Sequence, residues 1–588
     1  MSSQSNDLTA VGEEPVRPSW GTWSSANVLR TALGSVVVFI ASCVVFWLST
    51  QVIKLPPAWR TFEFCQYAEI GRNLALDQTY DTRLVEPMAL AVIDRDRVGS
   101  VAERWPVVNR YPLPCFVIAG LMSLFGPGDM AAAWSNGLAI SLLAMLCYAV
   151  ARAWYGPGWA AVVAILFLAN PSFYGEFVLL GTPDVWFAVI FFAQLIVWSR
   201  IEPAQSPAER PRLGWALGLG LLSGLAYLAR FNATMFLAVQ VAALLRWKRW
   251  REALVFVVTT ALFTLPLMVY NWQHFHRPWV SIYSSWNLLD DIGAYQVEPW
   301  LYYRVPRLWA ELADHGEGLA KKFATNLFEV VPHRIWSLWR LDLLLPLALL
   351  GLALNRKNAR VQRFAIWSIG LFALQLLVFS AMRLELEDRN SAHHGRYFFW
   401  FATPALLLGV GLLRRLAVGF RLGRWIAVPV ILLQLAGFGW SWAQLVPRHS
   451  EGTNIGQDPI RGMLVDAMVK GKVIASNQPQ ITAWFCKLRS ISLPADLGEL
   501  ARLNRDSPTP ADYLFVDTNY NCIDLDRRWR FLAETDLQIT SEWYPELLVD
   551  YQFVISPKLT RPLGYVFLRR RVVPANKWER DFNRQTPH

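Results

Sequence analysis

Apolar segments and shorter polar segments alternate along most of the chain. The apolar segments have about 13 to 23 residues, close to the roughly 20 that an α-helix needs to cross a bilayer. They lie at Thr31–Ile53, Ala131–Ala151, Trp159–Phe173, Pro183–Trp198, Trp215–Ala229, Ala233–Leu245, Ala253–Trp272, Leu338–Leu354, Phe364–Met382, Tyr397–Leu413 and Trp425–Leu445. This pattern predicts an α-helical polytopic membrane protein with about 11 transmembrane helices.

Tyr111–Phe125 is also apolar but short, and the charges of later loops decide how it is interpreted. Loops on the cytoplasmic side carry an excess of Lys and Arg. Basic clusters lie at Arg200/Arg210/Arg212, Arg246/Lys248/Arg249/Arg251, Arg356/Lys357/Arg360/Arg363 and Arg414/Arg415/Arg421/Arg424. If Tyr111–Phe125 spanned, all four clusters would face outward. We therefore predict that 111–126 is an interfacial or re-entrant piece on the outer surface.

The same pattern divides the chain into three parts. Residues 1–30 are polar and are predicted to be a disordered cytoplasmic tail. Residues 31–446 form the membrane domain, with a polar outer loop at 54–130. Residues 447–588 are predicted to be a small α/β domain outside the membrane, on the periplasmic or extracellular side. Its expected strands are Lys472–Ser476, Ser490–Leu493, Tyr513–Asp517 and Gly564–Leu568, and its expected helices are Pro459–Val469, Pro479–Cys486 and Asp526–Thr535.

Composition supports a membrane protein and argues against nucleic acid as a partner. Hydrophobic residues make up 54% of the chain and charged residues 17%, and the mean hydropathy is +0.26. Soluble domains carry about 25% charged residues. The 29 tryptophans, many beside apolar segments, fit aromatic belts at the two interfaces. The net charge of +11 comes from cations that flank apolar segments, so anionic lipid headgroups explain it better than nucleic acid does.

The outer stretch from Thr61 to Pro114 carries the first candidate chemistry. Glu63, Tyr67 and Ile70 share one helix face by their three- and four-residue spacing. Such a face is typical of a short amphipathic helix at a membrane surface, but an ordinary solvated acid on a loop helix also fits.

Four cysteines are predicted on the outer side, namely Cys65, Cys115, Cys486 and Cys522. An oxidising compartment would permit disulfides among them, and buried free thiols are the alternative. We find no zinc-binding spacing in the sequence.

Several short motifs follow one another in an order that resembles the GT-C glycosyltransferases, in particular the branch of protein mannosyltransferases and aminoarabinose transferases. They are Glu63 four residues before Tyr67, Tyr111-Pro112-Leu113-Pro114 at the end of the first loop, Thr182-Pro183-Asp184, Gly224-Leu225-Ala226-Tyr227-Leu228-Ala229-Arg230, and Arg396-Tyr397 before Pro404. The resemblance covers roughly residues 31–445. Two positions depart from the family: Glu63-Phe64 stands where Asp, often Asp-Glu, is usual, and Leu113 replaces a proline.

The resemblance implies an enzyme of the cell (inner) membrane that works at its outer face. Such enzymes move a sugar from a polyprenyl-phosphate donor to a hydroxyl of a lipid, glycan or protein acceptor. A base must take the acceptor proton, and cations must hold the departing phosphate. Glu63 is the expected base, with Glu69 as a second candidate on another part of the helix. Asp184 is the second expected catalytic acid; it could bind acceptor, orient Arg110 or help hold a metal, or be only a helix N-terminal acid.

Arg396 is the expected phosphate ligand. His393 and His394 precede it and could hold a divalent metal ion with an outer carboxylate, or be polar loop residues. The remaining residues expected to bind substrate are Tyr67, Arg110, Tyr111 and Tyr397.

Two other functions fit parts of the sequence. A transporter or flippase of lipid-linked sugars would also need many spans and outer cations. Transporters usually place acids near the membrane midplane and often consist of repeated halves, whereas here the acids cluster at one face and no internal repeat is visible. A membrane scaffold that displays the C-terminal domain would leave Glu63, Asp184 and Arg396 without a shared purpose.

Overall fold

The computed structural model is mostly helical. It describes residues 25–53, 62–96, 104–108, 110–177, 183–201, 213–280, 287–290, 292, 299–305, 307–354, 359–382, 384, 386, 395–420, 422–450, 472–484, 486–517, 529, 551–553 and 565–570. The predicted helix Pro459–Val469, the predicted helix Asp526–Thr535 apart from Trp529, and nearly all of the N-terminal tail lie outside these residues.

The helices confirm the predicted class of an α-helical polytopic membrane protein. They are α1 Ser25–Ile53, α2 Phe62–Asp77, α3 Pro87–Arg95, α4 Pro112–Phe125, α5 Asp129–Tyr155, α6 Pro157–Ala169, α7 Asp184–Trp198, α8 Leu213–Ala229, α9 Ala233–Arg246, α10 Trp250–Phe275, α11 Leu308–Asp314, α12 Gly316–Thr325, α13 Val331–Arg334, α14 Leu344–Leu354, α15 Ala359–Ser380, α16 Ala402–Gly419, α17 Gly423–Ser450, α18 Pro479–Trp484 and α19 Leu497–Asp506. Among the described residues, six segments are long and apolar enough to cross a membrane: Ser25–Val52, Asp129–Tyr155, Trp250–Phe275, Ala359–Ser380, Arg396–Gly419 and Gly423–Gln444. Most of the other predicted spans are shorter apolar helices, so the number of spans stays a prediction.

One end of the helix bundle is basic. Arg152 near the end of α5 donates from Nε to Thr31 Oγ1 near the start of α1, at 3.0 Å. Arg414 on α16 donates to the carbonyl of Tyr155 at 3.1 Å. Trp154 meets Phe364 on α15 with ring centroids 5.0 Å apart. Arg200 and Arg360, from two of the basic clusters, interact electrostatically. Members of three of the four basic clusters thus lie at this end; that all four share one side of the membrane stays a prediction.

Helix α4 keeps both of its ends away from that basic end. Pro112 opens the helix at its first turn, where the missing N–H is tolerated, and Gly126 with φ of 91° ends it. Its 14 residues extend about 21 Å, less than the roughly 30 Å of a hydrocarbon core. Its N-terminus lies beside α2, and three residues after its end Asp129 accepts a 2.7 Å hydrogen bond from Trp484 of the C-terminal part. This arrangement agrees with the prediction that 111–126 does not cross.

The C-terminal part contains a six-stranded sheet that also includes a piece of the first loop. The strands of the protein are β1 Asp81–Thr82, β2 Leu84–Val85, β3 Trp105–Pro106, β4 Val473–Ser476, β5 Arg489–Ser492, β6 Tyr513–Asp517, β7 Tyr551–Phe553 and β8 Tyr565–Arg570. The order of the large sheet is β2-β5-β4-β6-β8-β7. The first four strands run parallel and the last two are antiparallel to their neighbours. All four strands predicted in this part, and the helix at 479–484, are present.

The first loop and the C-terminal part therefore share one structure. Leu84 and Val85 pair with Ser490 and Ile491 across the sheet edge. Arg72 on α2 donates to the Trp484 carbonyl at 2.9 Å, and its guanidinium lies 4.2 Å from the Trp484 ring centroid. One hydrophobic core joins α3 to strands β4, β5 and β6. The C-terminal sheet thus holds the loop that carries the candidate site.

The cysteines described by the structure are free thiols. Cys65, Cys115 and Cys486 are buried, and none of them forms a disulfide. Of the two alternatives for the outer cysteines, these three follow the free-thiol one. Cys522 lies outside the described part of the chain.

Candidate active site

A cavity of about 340 Å³ opens at the end of the bundle opposite to the basic one. It lies between α2, the start of α4, the turn between α8 and α9, the end of α15 and a 3-10 helix at Arg396–Phe401. It combines charged groups with aromatic walls. Its lining residues include Glu63, Tyr111, Tyr227, Arg230, Asn232, Trp279, Phe379, Arg396 and Tyr397.

Glu63 and Arg396 meet in this cavity across 333 residues of sequence. Arg396 Nη1 lies 2.8 Å from Glu63 Oε2, and the two side chains are 14% and 17% exposed. Gly395 precedes Arg396 with φ of 71°, a left-handed conformation that suits glycine, and it starts the 3-10 helix that presents the arginine. Partial exposure leaves both groups within reach of a ligand, so Glu63 is not a solvated loop acid.

Tyr397 links Arg396 to a second arginine. The Arg396 guanidinium lies 5.0 Å from the Tyr397 ring centroid, and the Arg230 guanidinium lies 4.8 Å from it. A cation over the face of an aromatic ring is attracted to the ring, so both contacts stabilise the guanidinium groups. The cavity therefore holds two guanidinium groups around one phenol ring, with the Glu63 carboxylate beside one of them.

Asp184 forms an ion pair with Arg230 and not with Arg110. Asp184 is at the start of α7, and Arg230 directly follows α8. Both are almost fully buried. Asp184 does not line the cavity itself. From this position the buried carboxylate can fix the direction of its guanidinium partner. The expected role of Asp184 as a catalytic acid stays a prediction.

Arg110 is held by an acid that the sequence did not indicate. Its Nη2 lies 2.6 Å from Glu86 Oε1, and both residues are buried. Its guanidinium lies 5.8 Å from the ring of Tyr67, whose hydroxyl accepts a 3.4 Å hydrogen bond from the Tyr111 amide. Arg110 and Tyr67 thus brace the start of α4 from behind, and only Tyr111 of the three borders the cavity.

Tyr111 forms part of the cavity wall between the charged groups and the aromatic side. Its ring meets Phe231 edge-on with centroids 4.8 Å apart. Burial raises the pKa of the Tyr111 phenol above its usual value, against the opposing effect of Arg230. The phenol is therefore protonated at neutral pH and can donate a hydrogen bond to a ligand.

Glu69 faces away from the cavity, as the six-residue offset from Glu63 predicted. Its carboxylate accepts hydrogen bonds from Thr82 Oγ1 at 2.7 Å, from the Arg83 amide at 3.1 Å and from Asn73 at 2.9 Å. These bonds fix the β1–β2 segment against α2. Glu69 thus contributes to the fold and does not line the cavity; its role as a second base stays a prediction.

The two histidines expected near the site, His393 and His394, lie outside the described residues. Within the described part, no three or more His, Cys, Asp or Glu side chains form a group that could hold a metal ion. Glu63 and Asp184 each bind an arginine. A divalent metal ion therefore stays a prediction that depends on the two histidines.

Sequence reasoning did not single out Arg230, Glu86 or Asn232 as residues in or beside the cavity. Arg230 stands between two apolar segments, where a charge usually has a partner or a function. It is the last residue of the motif that runs from Gly224 to Arg230. Glu86 and Asn232 carry no comparable signal, because a single acid in a polar loop and an amide in a turn are common.

Comparison with known proteins supports the resemblance. The sequence model of the dolichyl-phosphate-mannose-protein mannosyltransferase family matches residues 109–272. No curated protein matches the chain.

Several solved structures share the fold. ArnT from Cupriavidus metallidurans bound to undecaprenyl phosphate is similar with a TM-score of 0.53 and 14% identity, over 92% of this chain and 99% of that one. Its apo state gives a TM-score of 0.50 and 14% identity, over 91% and 98% of the chains. The archaeal oligosaccharyltransferase AglB from Archaeoglobus fulgidus, in complex with an inhibitory peptide and a dolichol-phosphate, gives 0.51 and 12%, over 92% and 75%. The chain is thus a multi-pass membrane protein that resembles the GT-C glycosyltransferases in its fold and, over residues 109–272, in its sequence.

Proposed function

We propose that this protein transfers a sugar from a polyprenyl-phosphate donor to an acceptor hydroxyl, in the cavity that holds Glu63, Arg230 and Arg396. One observation carries the proposal: a carboxylate and two guanidinium groups share a cavity with aromatic walls. The likeness to ArnT bound to undecaprenyl phosphate and to AglB with a dolichol-phosphate supports this donor class. The cavity would then face the periplasmic or extracellular side of the cell membrane.

The two arginines suit the donor phosphate. A guanidinium presents N–H groups in a fork that matches phosphate oxygens, and its charge persists at any physiological pH. Arg230 is fixed by Asp184, whereas Arg396 is shared with Glu63. A phosphate that binds between them would draw Arg396 toward itself and loosen its bond to Glu63. Donor binding and exposure of the carboxylate are then linked.

Glu63 suits the general base. In the proposed step the acceptor hydroxyl gives its proton to Glu63 while its oxygen bonds to the anomeric carbon of the sugar. The bond between that carbon and the phosphate oxygen breaks, and its electron pair leaves with the phosphate. Arg230 and Arg396 stabilise the added negative charge on the departing phosphate. The protonated Glu63 then returns its proton to solvent.

The test follows a labelled sugar. Purified protein in lipid vesicles is given a polyprenyl-phosphate sugar labelled in the sugar, together with an extract of envelope lipids, glycans and proteins. Transfer predicts that the label leaves the polyprenyl phosphate and joins an acceptor. A flippase would leave the label on its original carrier. If the parent protein leaves all label on the carrier, the transferase proposal is wrong.

A further inference from the structure

Asn232 is a partly exposed residue, but its two side-chain polar atoms are buried and have no hydrogen-bond partner in the described structure. It lies in the turn between α8 and α9 and borders the cavity. Both its Nδ2 and its Oδ1 are buried without a partner. Although it occupies the N-cap position of α9, its side chain does not cap the helix. An asparagine there would normally accept from an amide of the first turn.

A buried amide without hydrogen bonds lowers the stability of the ligand-free protein. A buried polar group without a partner loses its bonds to water and gains none in exchange, and native proteins rarely contain one. A contrasting amide lies in the same membrane domain: Asn326 Nδ2 donates to the carbonyls of Ser380 and Met382 at 2.9 and 3.1 Å. Asn326 therefore serves the fold, whereas Asn232 has no such partner.

The donor and the acceptor of the amide limit the chemical class of ligand that it can bind. Asparagine offers both a donor and an acceptor. A phosphate only accepts, and the cavity already holds two arginines for it. A hydroxyl both donates and accepts, so one or two neighbouring hydroxyls would satisfy both ends of the amide. The group that Asn232 fits is therefore neutral and hydroxylated, as the sugar of the donor is.

The neighbours of Asn232 suit a sugar as well. Tyr227 and Trp279 also line the cavity, with ring centroids 5.9 Å apart and planes at 90°. The Tyr227 ring also lies 5.1 Å from that of Phe231, next to Asn232 in sequence. Aromatic walls with a few placed polar groups are typical of small-molecule sites. Glu63, Arg396 and Tyr397 line the same cavity.

We infer that Asn232 recognises the hydroxyls of the transferred sugar, in a subsite whose walls are Tyr227 and Trp279. The inference rests on the proposed function and deepens it, because it separates the sugar subsite from the phosphate subsite at Arg230 and Arg396. Asn232 is then a determinant of sugar specificity, and its missing bonds in the free protein are made by the donor.

The experiment compares two ligands by thermal unfolding of the purified protein. One is undecaprenyl phosphate without a sugar, and the other is the same lipid carrying either a neutral hexose or an aminopentose. In the parent, at least one sugar-bearing lipid should stabilise more than the bare lipid. Asn232→Ala should remove this extra stabilisation and weaken binding of that lipid by about tenfold, roughly the effect of one or two hydrogen bonds. Binding of the bare lipid should be unchanged.

The ligand-free variants distinguish a binding role from a structural one. Asn232→Ala should unfold at the parent temperature or above it, because it removes an unsatisfied group, whereas Asn326→Ala should unfold at a lower temperature. The inference is overturned if Asn232→Ala keeps the extra stabilisation, weakens both lipids equally, or unfolds earlier as Asn326→Ala does. The inference is also overturned if neither sugar-bearing lipid stabilises the parent more than the bare lipid does. If instead the bare lipid itself fails to bind the parent, the proposed donor class is at fault as well.

Discussion

Helix α2 carries two glutamates six residues apart whose surroundings differ completely. Glu63, in its first turn, is part of the cavity and has an arginine that a ligand can reach. Glu69, further along, is fully buried and accepts bonds from Thr82, Arg83 and Asn73. In the proposed function the same type of side chain serves the reaction at one position and the fold at the other. The two glutamates differ in whether a ligand can reach the carboxylate.

The variant Glu63→Gln gives the largest expected effect and tests the difference between the two glutamates. If Glu63 is the base, this change keeps shape and hydrogen-bonding capacity but removes proton acceptance, and turnover should fall about 10²–10⁴-fold. Glu63→Asp should retain part of the activity, because it keeps the carboxylate. The assay is transfer of labelled sugar by purified protein, with unfolding temperature measured in parallel. Asp77→Asn, an exposed acid on the same helix, is the matched control and should match the parent.

Arg396→Gln tests the partner of Glu63. Losing a charge-assisted bond to phosphate should cost about 1.5–3 kcal/mol of donor binding, or roughly 10- to 150-fold in affinity. The unfolding temperature should change little, since the Arg396 side chain is partly exposed. Donor affinity measured by titration in vesicles decides this, and a parental affinity would remove Arg396 from the phosphate site.

Glu69→Gln should show the reverse behaviour. The buried carboxylate accepts bonds from the β1–β2 segment, so its neutralisation should lower the free energy of unfolding by about 1.5–3 kcal/mol. Thermal unfolding in detergent measures this loss. A variant as stable as the parent would contradict the structural role, and a stable variant that had lost turnover would restore Glu69 as a candidate base.

The smallest perturbation tests which side of the membrane the end of the bundle with Glu63 and Glu69 faces. Single cysteines at Met130 and Arg251, in a background without native cysteines, should leave the protein folded because both side chains are exposed. Labelling by a membrane-impermeant reagent should report Met130 outside and Arg251 inside. With the described fold, the reverse result would mean that the cavity faces the cytoplasm.

The sequence predicted local structure well, and it predicted contacts between distant residues less well. Apolar periodicity predicted the bundle and the four C-terminal strands, because these depend on neighbouring residues. Glu63, Arg396, Tyr111 and Tyr397 were also predicted and come together at the cavity. The pairing of Asp184 with Arg230, and of Arg110 with Glu86, depends on packing between distant segments. The entry of Leu84-Val85 into the C-terminal sheet was equally invisible, because a two-residue strand has no periodicity.

The most direct test of sugar transfer by Glu63 is mass spectrometry of envelope lipids and glycans from three strains. One strain lacks the protein, one carries the parent and one carries Glu63→Gln at an equal protein level. We predict a sugar-modified lipid, glycan or protein only in the parent strain, with the polyprenyl-phosphate sugar accumulating in the other two. The same modified species at parental level in the Glu63→Gln strain would contradict the account.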